Sequence, residues 1–337
     1  MKTSDYELMP DRIWSEFDGA PGGMSLASMC GELFSQQLFN WQEFAVAHMN
    51  MKGAWLREII SGQHTLLVQF NQGRTVSATA ALDADTIRRR PCFLCEYHLP
   101  AAQKAVLYGQ TFLILVNPYP IFSPHYTVVH INHEPQDIES NLDVLLALAH
   151  DLGPSFTVFY NGPRCGASAP DHHHFQVCPA GMIPVEKAWE ERESEVPGAD
   201  RDGVSFGVLR LPGRSALFVE GSVPETLEAF LKRLIGAMGE VMGSAEEPML
   251  NLFCTKKEGR WRLLIFPRRK HRPDAYYREG AGSVLVTPGA VEMGGLLITI
   301  REDDFLKMTP ALAEEIYREV SLSTEMIEEI VNKMKYL

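Results

Sequence analysis

"YNGPRCGASAPDHHHFQ", residues 160–176, decides how the rest of the chain is read. A loop rich in glycine and proline runs into three consecutive histidines, followed by Phe175 and Gln176. If residues 172–177 are extended, their side chains alternate between two faces. His172, His174 and Gln176 then share one face, and His173, Phe175 and Val177 the other. The apolar pair suits a core, which leaves the H-x-H-x-Q face to line a site and makes His173 structural. The loop at 161–171 brings backbone N–H groups near a ligand, which suits phosphate oxygens. A neutral imidazole on a rigid strand beside such a loop is a candidate nucleophile toward phosphorus. On pattern alone three readings stay open: phosphorolysis or nucleotidyl transfer through a phospho-histidine, a metal-only site, and a surface run of histidine.

Composition bounds the choice. The chain has 337 residues, 45% hydrophobic and 22% charged, as in ordinary globular proteins. That length predicts two domains or one duplicated domain. The formal net charge of −12 argues against nonspecific nucleic-acid binding, which needs a basic footprint. It leaves room for an anionic small substrate held by a local cluster. The longest apolar runs, such as "TFLILV" at 111–116, are far short of the ~20 residues a membrane span needs. The stretch 1–10 has no basic n-region and no apolar h-region, so no secretory signal is read. Six cysteines in a chain of this size do not make a disulfide framework, and a reducing cytoplasm is the expected compartment.

Periodicity places the elements. Residues 1–30 read as loop and about 31–60 as mostly helical. Strands are expected at 65–70, 111–116, 126–131 and 155–160, with a connector at 80–91. A helix at 141–152 follows Asn141, a candidate cap. The charged run 186–203 reads as a soluble loop. The second half repeats the outline. Strands at 205–211 and 215–221 precede a helix at 224–242, whose Pro224 suits a first turn. Two strands then flank the turn at 258–259. A strand at 296–301 and helices from Thr309-Pro310 and near Thr324 close the chain. Matching order is compatible with a degenerate duplication and does not establish one.

Cys92 and Cys95 form a lone C-x-x-C in "RPCFLCEYH". Two thiolates at this spacing can hold one zinc, but a tetrahedral site needs two more ligands. A pair of small core residues explains the motif equally well, and His98 is a nearby ligand candidate. The basic run "PRRKHRP" at 267–273 suits an anionic substrate, an incoming phosphate, a subunit partner or a solvated loop. Arg164 and Lys187 lie in or near the histidine segment, with no role assigned by spacing.

The H-x-H-x-Q after a G-A-S loop resembles the histidine-triad superfamily, in the branch of hexose-1-phosphate uridylyltransferases and diadenosine tetraphosphate phosphorylases. The segment 160–176 with "IPVEKA" at 183–188 is similar to the active-site region of GDP-hexose phosphorylases (GDP-L-galactose and GDP-D-glucose phosphorylases). "VQFNQGR" (68–74), "NPYPIFSPHYTVV" (117–129), "NLFCTKKEGRWRLLIFP" (251–267), "VEMGGLLITI" (291–300) and "EIYREVSLS" (315–323) extend the likeness in the same order. It runs from about residue 65 almost to the C-terminus.

That resemblance implies an α+β fold with a HIT-like antiparallel sheet and helices. The divisions expected are an N-terminal helical and loop extension (1–64), a HIT-like catalytic half (65–200) and a C-terminal HIT-like half with terminal helices (201–337). It implies that His174 is the nucleophile and that Gln176 bonds the α-phosphate. It also implies that Asn161 and Ser168 hold phosphate oxygens, that Asn117 contacts the ribose and that Arg74 lies near the nucleotide. His133 and His172 would complete a structural zinc site with Cys92 and Cys95, leaving His125 and His130 structural. His173 departs from the pattern, whose middle residue is usually apolar or proline. The implied activity is phosphorolysis of a nucleotide sugar, foremost a GDP-hexose, to nucleoside diphosphate and hexose-1-phosphate through a nucleotidyl-histidine. Transfer to a sugar phosphate, phosphorolysis of a dinucleoside polyphosphate, and a silent nucleotide-binding module are the alternatives. The expected partners are the nucleotide sugar and phosphate, with no organic cofactor and, as in relatives that dimerise, a homodimer.

Overall fold

A computed structural model of the chain describes residues 10–79, 83–191 and 195–336. Most of the stretch read for a signal, the start of the connector and residues 192–194 of the charged run lie outside the described residues. In chain order the strands are β1 (Ile13–Phe17), β2 (Trp55–Ser61), β3 (His64–Phe70), β4 (Ala105–Tyr108), β5 (Phe112–Val116), β6 (Tyr126–His130) and β7 (Phe156–Asn161). They continue with β8 (His174–Pro179), β9 (Glu195–Arg201), β10 (Val204–Leu211), β11 (Arg214–Gly221), β12 (Leu250–Lys257), β13 (Arg260–Pro267) and β14 (Leu296–Thr299). The helices are α1 (Leu26–Asn40), α2 (Gln42–Lys52), α3 (Thr75–Ala78), α4 (Ala84–Arg89), α5 (Leu142–Leu152) and α6 (Pro184–Glu191). After them come α7 (Pro224–Met242), α8 (Ala290–Met293), α9 (Glu302–Lys307), α10 (Pro310–Val320) and α11 (Thr324–Tyr336).

The large sheet has the order β1-β4-β5-β6-β8-β7-β12-β13-β11-β10-β9, and a small sheet the order β14-β3-β2. In the large sheet β1–β4 is parallel and the other pairs are antiparallel. This is an α+β fold. The repeated outline is a repeated topology. Three strands, a helix and a two-stranded hairpin occur as β4-β5-β6-α5-β7-β8 and again as β9-β10-β11-α7-β12-β13. The two sets meet at β7 and β12, so the strand order mirrors itself about that pair.

Two apolar layers hold the large sheet. On one face Val158, Tyr160, Phe175, Val177, Leu252 and Leu263 pack under α1, α5, α7 and α11. In α7, Leu227, Phe230, Leu231, Leu234, Ile235 and Met238 are all buried at helical spacing, each worth ~1.5–3 kcal/mol of transfer free energy. On the other face Phe159, Cys178, Phe253 and Phe266 pack against Leu66 and Val68 of the small sheet and against α6, α8 and α10. The hairpin β12–β13 turns through Glu258 and Gly259, both at positive φ (53° and 76°), as a two-residue turn requires.

Four local expectations are corrected. The segment 31–60 is helical only to Lys52. Gly53 ends α2, and Trp55–Ser61 then pairs antiparallel with β3, which only the tertiary partner makes favourable. The stretch 1–30 holds β1 and the start of α1, whose first turn is capped by Ser25 Oγ accepting from Ser28 N–H at 3.2 Å. The charged run 186–203 contains most of α6 and β9; α6 buries Val185, Ala188 and Trp189 while Lys187, Glu190 and Glu191 face water and Glu186 turns inward to accept from Gly181 and Ile183 N–H at 3.0 and 3.1 Å. Asn141 makes no side-chain cap; its Nδ2 bonds the Asp137 carbonyl at 2.9 Å instead. Among the described residues no helix is long and apolar enough to cross a membrane.

Candidate active site

His174 opens β8, at the end of the sheet where β7 stops and the 162–173 loop returns. Phe175 and Val177 are buried in the helix-side core, so His174 and Gln176 stand on the face toward the small sheet. His173 is 1% exposed and its ring lies 4.9 Å from that of Phe175, with Phe112 and Tyr160 close by. Burial pushes its imidazole down to about 3, so it stays neutral. A polar ring thus stands where apolar packing is usual, with its Nδ1 accepting from Asp137 N–H at 3.3 Å.

Hydrogen bonds fix the state of His174. Its Nδ1 meets the His172 carbonyl at 2.8 Å. A carbonyl only accepts, so Nδ1 carries the proton and Nε2 keeps its lone pair. Burial holds the ring below the usual histidine range and therefore neutral. The backbone is clamped by Gln136. Its Oε1 accepts from His174 N–H at 2.7 Å, and its Nε2 donates to the His174 and Asn161 carbonyls, each at 3.0 Å. The β7–β8 ladder ends at Phe159–Gln176, and the Gln136 amide fills the gap where the strands part.

Gln176 is oriented in turn. His125 Nδ1 accepts from Ile121 N–H at 3.2 Å, so its Nε2 carries the proton and donates to Gln176 Oε1 at 2.9 Å. The Gln176 amide NH2 is thereby left to donate elsewhere. Burial, with the Arg74 guanidinium second, pushes His125 down to about 3. Its neutrality is what makes the tautomer unambiguous. Thr127, opposite Gln176 in the ladder, accepts from Asn117 Nδ2 at 3.1 Å, while Asn117 Oδ1 accepts from Tyr119 N–H at 2.9 Å. Arg74 donates to the Tyr119 carbonyl at 2.8 Å. Arg74, Asn117 and Gln176 therefore gather around one short stretch of β5–β6.

The phosphate-loop candidates are built in from the other half of the chain. Asn161 Oδ1 accepts from Asn251 Nδ2 at 2.9 Å and from Ala290 N–H at 2.7 Å, which leaves Asn161 Nδ2 as a donor. Asn251 Oδ1 accepts from fully buried Arg268 at 2.6 Å. So Arg268, the one "PRRKHRP" residue at the core of the site, works from behind it. Gly166 has φ +114°, and a Cβ there would stand 2.7 Å from Gly289 Cα, so only glycine lets the loop pass. Ser168 is held through its carbonyl by Arg90 at 3.3 Å, and Arg90 also pairs with Asp171 at 2.6 Å. Arg164 points away, to Ser244 and the Glu247 carbonyl, and Lys187 pairs with Glu191 on the surface of α6.

Cys92, Cys95, His133 and His172 come together, with one ligand atom from each lying within 4.8 Å of the others. His172 Nδ1 lies 3.3 Å from Cys92 Sγ and 3.6 Å from Cys95 Sγ, and His133 Nδ1 lies 3.2 Å from Cys95 Sγ. A tetrahedral zinc, with Zn–S ~2.3 Å and Zn–N ~2.0–2.1 Å, has S···N edges of about 3.6 Å. His172 Nε2 donates to the His130 carbonyl at 2.7 Å, which turns the Nδ1 lone pair toward the thiols. His133 Nε2 faces Asp171 at 3.6 Å. The donor set fits a metal ion. His98 stays outside it, bonding the Cys92 carbonyl at 2.8 Å.

Two family models match the chain in succession: a domain of unknown function, DUF4922, over residues 33–179, and "GDPGP1-like, C-terminal domain" over 194–336. The chain joins a DUF4922 domain to a GDPGP1-like C-terminal domain. The DUF4922 part holds His174, Gln176 and the four metal-ligand candidates; the GDPGP1-like part supplies Asn251, Arg268 and Ala290. No curated protein matches by sequence. Among solved structures, yeast Ap4A phosphorylase Apa2 aligns with TM-score 0.61 at 12% identity, over 89% of this chain and 99% of that one. The same enzyme in complex with AMP aligns with TM-score 0.52 at 17% identity, over 86% and 96%. Its complex with Ap4A aligns with TM-score 0.52 at 13% identity, over 83% and 96%. The large sheet, its helices and the HIT-like arrangement are therefore a fold shared with Apa2.

His125 and His130, expected to be structural, hold neighbours of the site in place. His125 orients Gln176, and the His130 carbonyl orients His172. Gln136 carried no sequence signal at all.

Proposed function

We propose that the chain is a nucleotide phosphorylase that works through a covalent nucleotidyl-histidine on His174. One observation carries this reading: the only ring nitrogen of His174 with a free lone pair is Nε2, on the same strand face as Gln176. His174 Nε2 attacks the α-phosphorus of a nucleotide sugar as the bond to the β-phosphate bridging oxygen breaks. Hexose-1-phosphate leaves, and the nucleoside monophosphate stays on Nε2. Phosphate then attacks the same phosphorus, the P–N bond breaks, and nucleoside diphosphate is released. The division replaces one difficult displacement with two easier ones. Gln176 and Asn161, each with an oriented amide NH2, and Ser168 would stabilise charge on the phosphoryl oxygens. Asn117 and Arg74 would hold the nucleotide.

The GDPGP1-like domain supports a GDP-hexose as substrate, as do the motif resemblances. A second reading, phosphorolysis of a dinucleoside polyphosphate, is favoured by the fold shared with an Ap4A phosphorylase. A zinc on Cys92, Cys95, His133 and His172 would be structural, since four protein ligands leave no open position. Through His172 it would steady the carbonyl that orients His174.

The test is a phosphorolysis assay with GDP-, UDP- and ADP-sugars and Ap4A, combined with trapping of α-32P-labelled nucleotide on the protein. A label on His174 from a GDP-sugar, and its loss in His174→Ala, is expected. Wild-type turnover by His174→Ala would overturn the mechanism, and preference for Ap4A would move the substrate to the second reading.

A further inference from the structure

A cleft of about 600 Å³ opens between the β10–β11 turn, the start of the segment after β13, and the junction of α10 with α11. It is separate from the site at His174. In the sheet, β7, β12 and β13 lie between β8 and β11, a spacing of roughly 19 Å across the strands.

The cleft is cationic in an acidic protein. Arg210, Arg214, Arg269 and Arg318 line it, against Glu315 and Glu319. Both glutamates are engaged from outside, Glu315 by Arg278 at 3.7 Å and Glu319 by Lys270 at 3.0 Å. Arg210 and Arg318 likewise pair outward, with Glu328 at 2.9 Å and Glu314 at 3.8 Å. Arg214 and Arg269 have no such partner among the described residues. Arg214 is 6% exposed and donates only to the Met293 and Pro212 carbonyls, at 2.7 and 3.2 Å, with its guanidinium 3.7 Å over the Tyr317 ring. Arg269 donates only to the Glu319 carbonyl, at 3.2–3.3 Å. Carbonyl oxygens satisfy N–H groups but do not neutralise a charge, and for Arg214, which is buried, a charge is costly until it is paired; Arg269 stands exposed at the edge of the cleft.

A second observation points the same way. Ser321 lines the cleft, is 4% exposed, and its hydroxyl has no hydrogen-bond partner. Beside it Ser323 Oγ accepts from Met326 N–H at 3.3 Å and opens α11, whose first N–H groups carry partial positive charge. Two guanidiniums without counter-ions, an orphan hydroxyl and a helix N-terminus make a donor set for a tetrahedral dianion.

We propose that this cleft binds a phosphate dianion, with room for the small metabolite that carries it. Arg214 and Arg269 supply the charge, and Ser321 Oγ and the α11 N-terminus supply neutral donors. Free phosphate and a sugar phosphate share this chemistry. The volume favours the sugar phosphate.

Location is the readout, so the result is independent of whether His174 is a nucleophile. Crystals of the full chain are soaked with tungstate, a tetrahedral dianion visible by anomalous scattering, and separately with glucose 1-phosphate. Density within hydrogen-bond reach of Arg214, Arg269 and Ser321 Oγ is expected in both. A sugar ordered in the cleft identifies a metabolite site, and tungstate alone identifies a site for free phosphate. In crystals of Arg269→Ala with Ser321→Ala the cleft affinity should fall by about tenfold or more, the scale of one lost charged hydrogen bond. Density confined to the His174 face, or equal occupancy in the double variant, overturns the proposal.

Discussion

The side-chain amide of Gln136 holds both backbone groups of His174, accepting its N–H at 2.7 Å and donating to its C=O at 3.0 Å. A glutamine here performs the work of a neighbouring strand. It also ties His174 to Asn161 through the Asn161 carbonyl, so the proposed nucleophile and a phosphate-loop candidate share one clamp. Gln136→Leu keeps approximate bulk and leaves three buried backbone groups without this partner, at ~1–3 kcal/mol each when water cannot replace it. Under the proposed mechanism, kcat should fall by tenfold or more while the capacity of the Cys92, Cys95, His133 and His172 cluster for zinc is unchanged. Unaltered kcat in a folded Gln136→Leu protein would show the clamp is dispensable.

His125 acts through Gln176. His125→Phe preserves a ring in the same aromatic surroundings, where Phe159 stacks at 5.9 Å, but removes the proton that fixes Gln176 Oε1. The Gln176 amide can then turn its oxygen toward a phosphate. A loss of roughly 10²-fold in kcat is expected, the scale of one misdirected donor, beside a modest drop in melting temperature from the Ile121 N–H left without its acceptor. Steady-state kinetics beside a thermal melt separate this from simple unfolding.

The cysteine and histidine cluster should hold close to one zinc per chain. Cys92→Ser should lower the zinc content and the melting temperature together, because Cys92 is buried and its Sγ meets His172. Metal analysis of protein purified without chelator measures the first, calorimetry the second. Protein that carries no zinc and melts identically with and without chelator would remove the metal from the structure's account.

Glu247 predicts a pH dependence of stability carried by a carboxyl rather than by a histidine. It accepts from Ile138 N–H at 2.7 Å and from Tyr160 OH at 3.0 Å. Burial nevertheless pushes its carboxyl from the ordinary 4.5 up to about 7. A raised carboxyl pKa means the folded state binds the proton more tightly than the unfolded one. The corresponding stability is full below about 4.5 and is lost as pH rises through about 7. Wild type should therefore lose stability between those values, and Glu247→Gln should flatten the slope. Denaturant titrations across this range test it; equal slopes would contradict it.

Much of the site was legible along the chain because it is local. Alternation alone put His174 and Gln176 on one face and sent His173 to the core, since a strand's period of two is a property of the backbone. C-x-x-C at 92–95 offered two candidate ligands by its spacing, with a pair of core residues an equal reading. The strand-like apolar runs of β10 to β13 and the helical spacing of α7 were equally readable. Among the local failures was β2, where apolar spacing suits a helix until β3 offers a ladder.

The amino-acid sequence by itself determined which residues can do chemistry and which strand face they share. Only the tertiary structure decided how they are held. His125 reaches Gln176 across 51 positions, Gln136 reaches His174 across 38, and Ala290 reaches Asn161 across 129. No periodicity records such pairs, because each hydrogen bond exists only once the sheet has brought distant segments to the same end. A histidine's charge and tautomer belong to that level too. They are set by burial and by the single carbonyl or N–H that the fold places against each ring nitrogen.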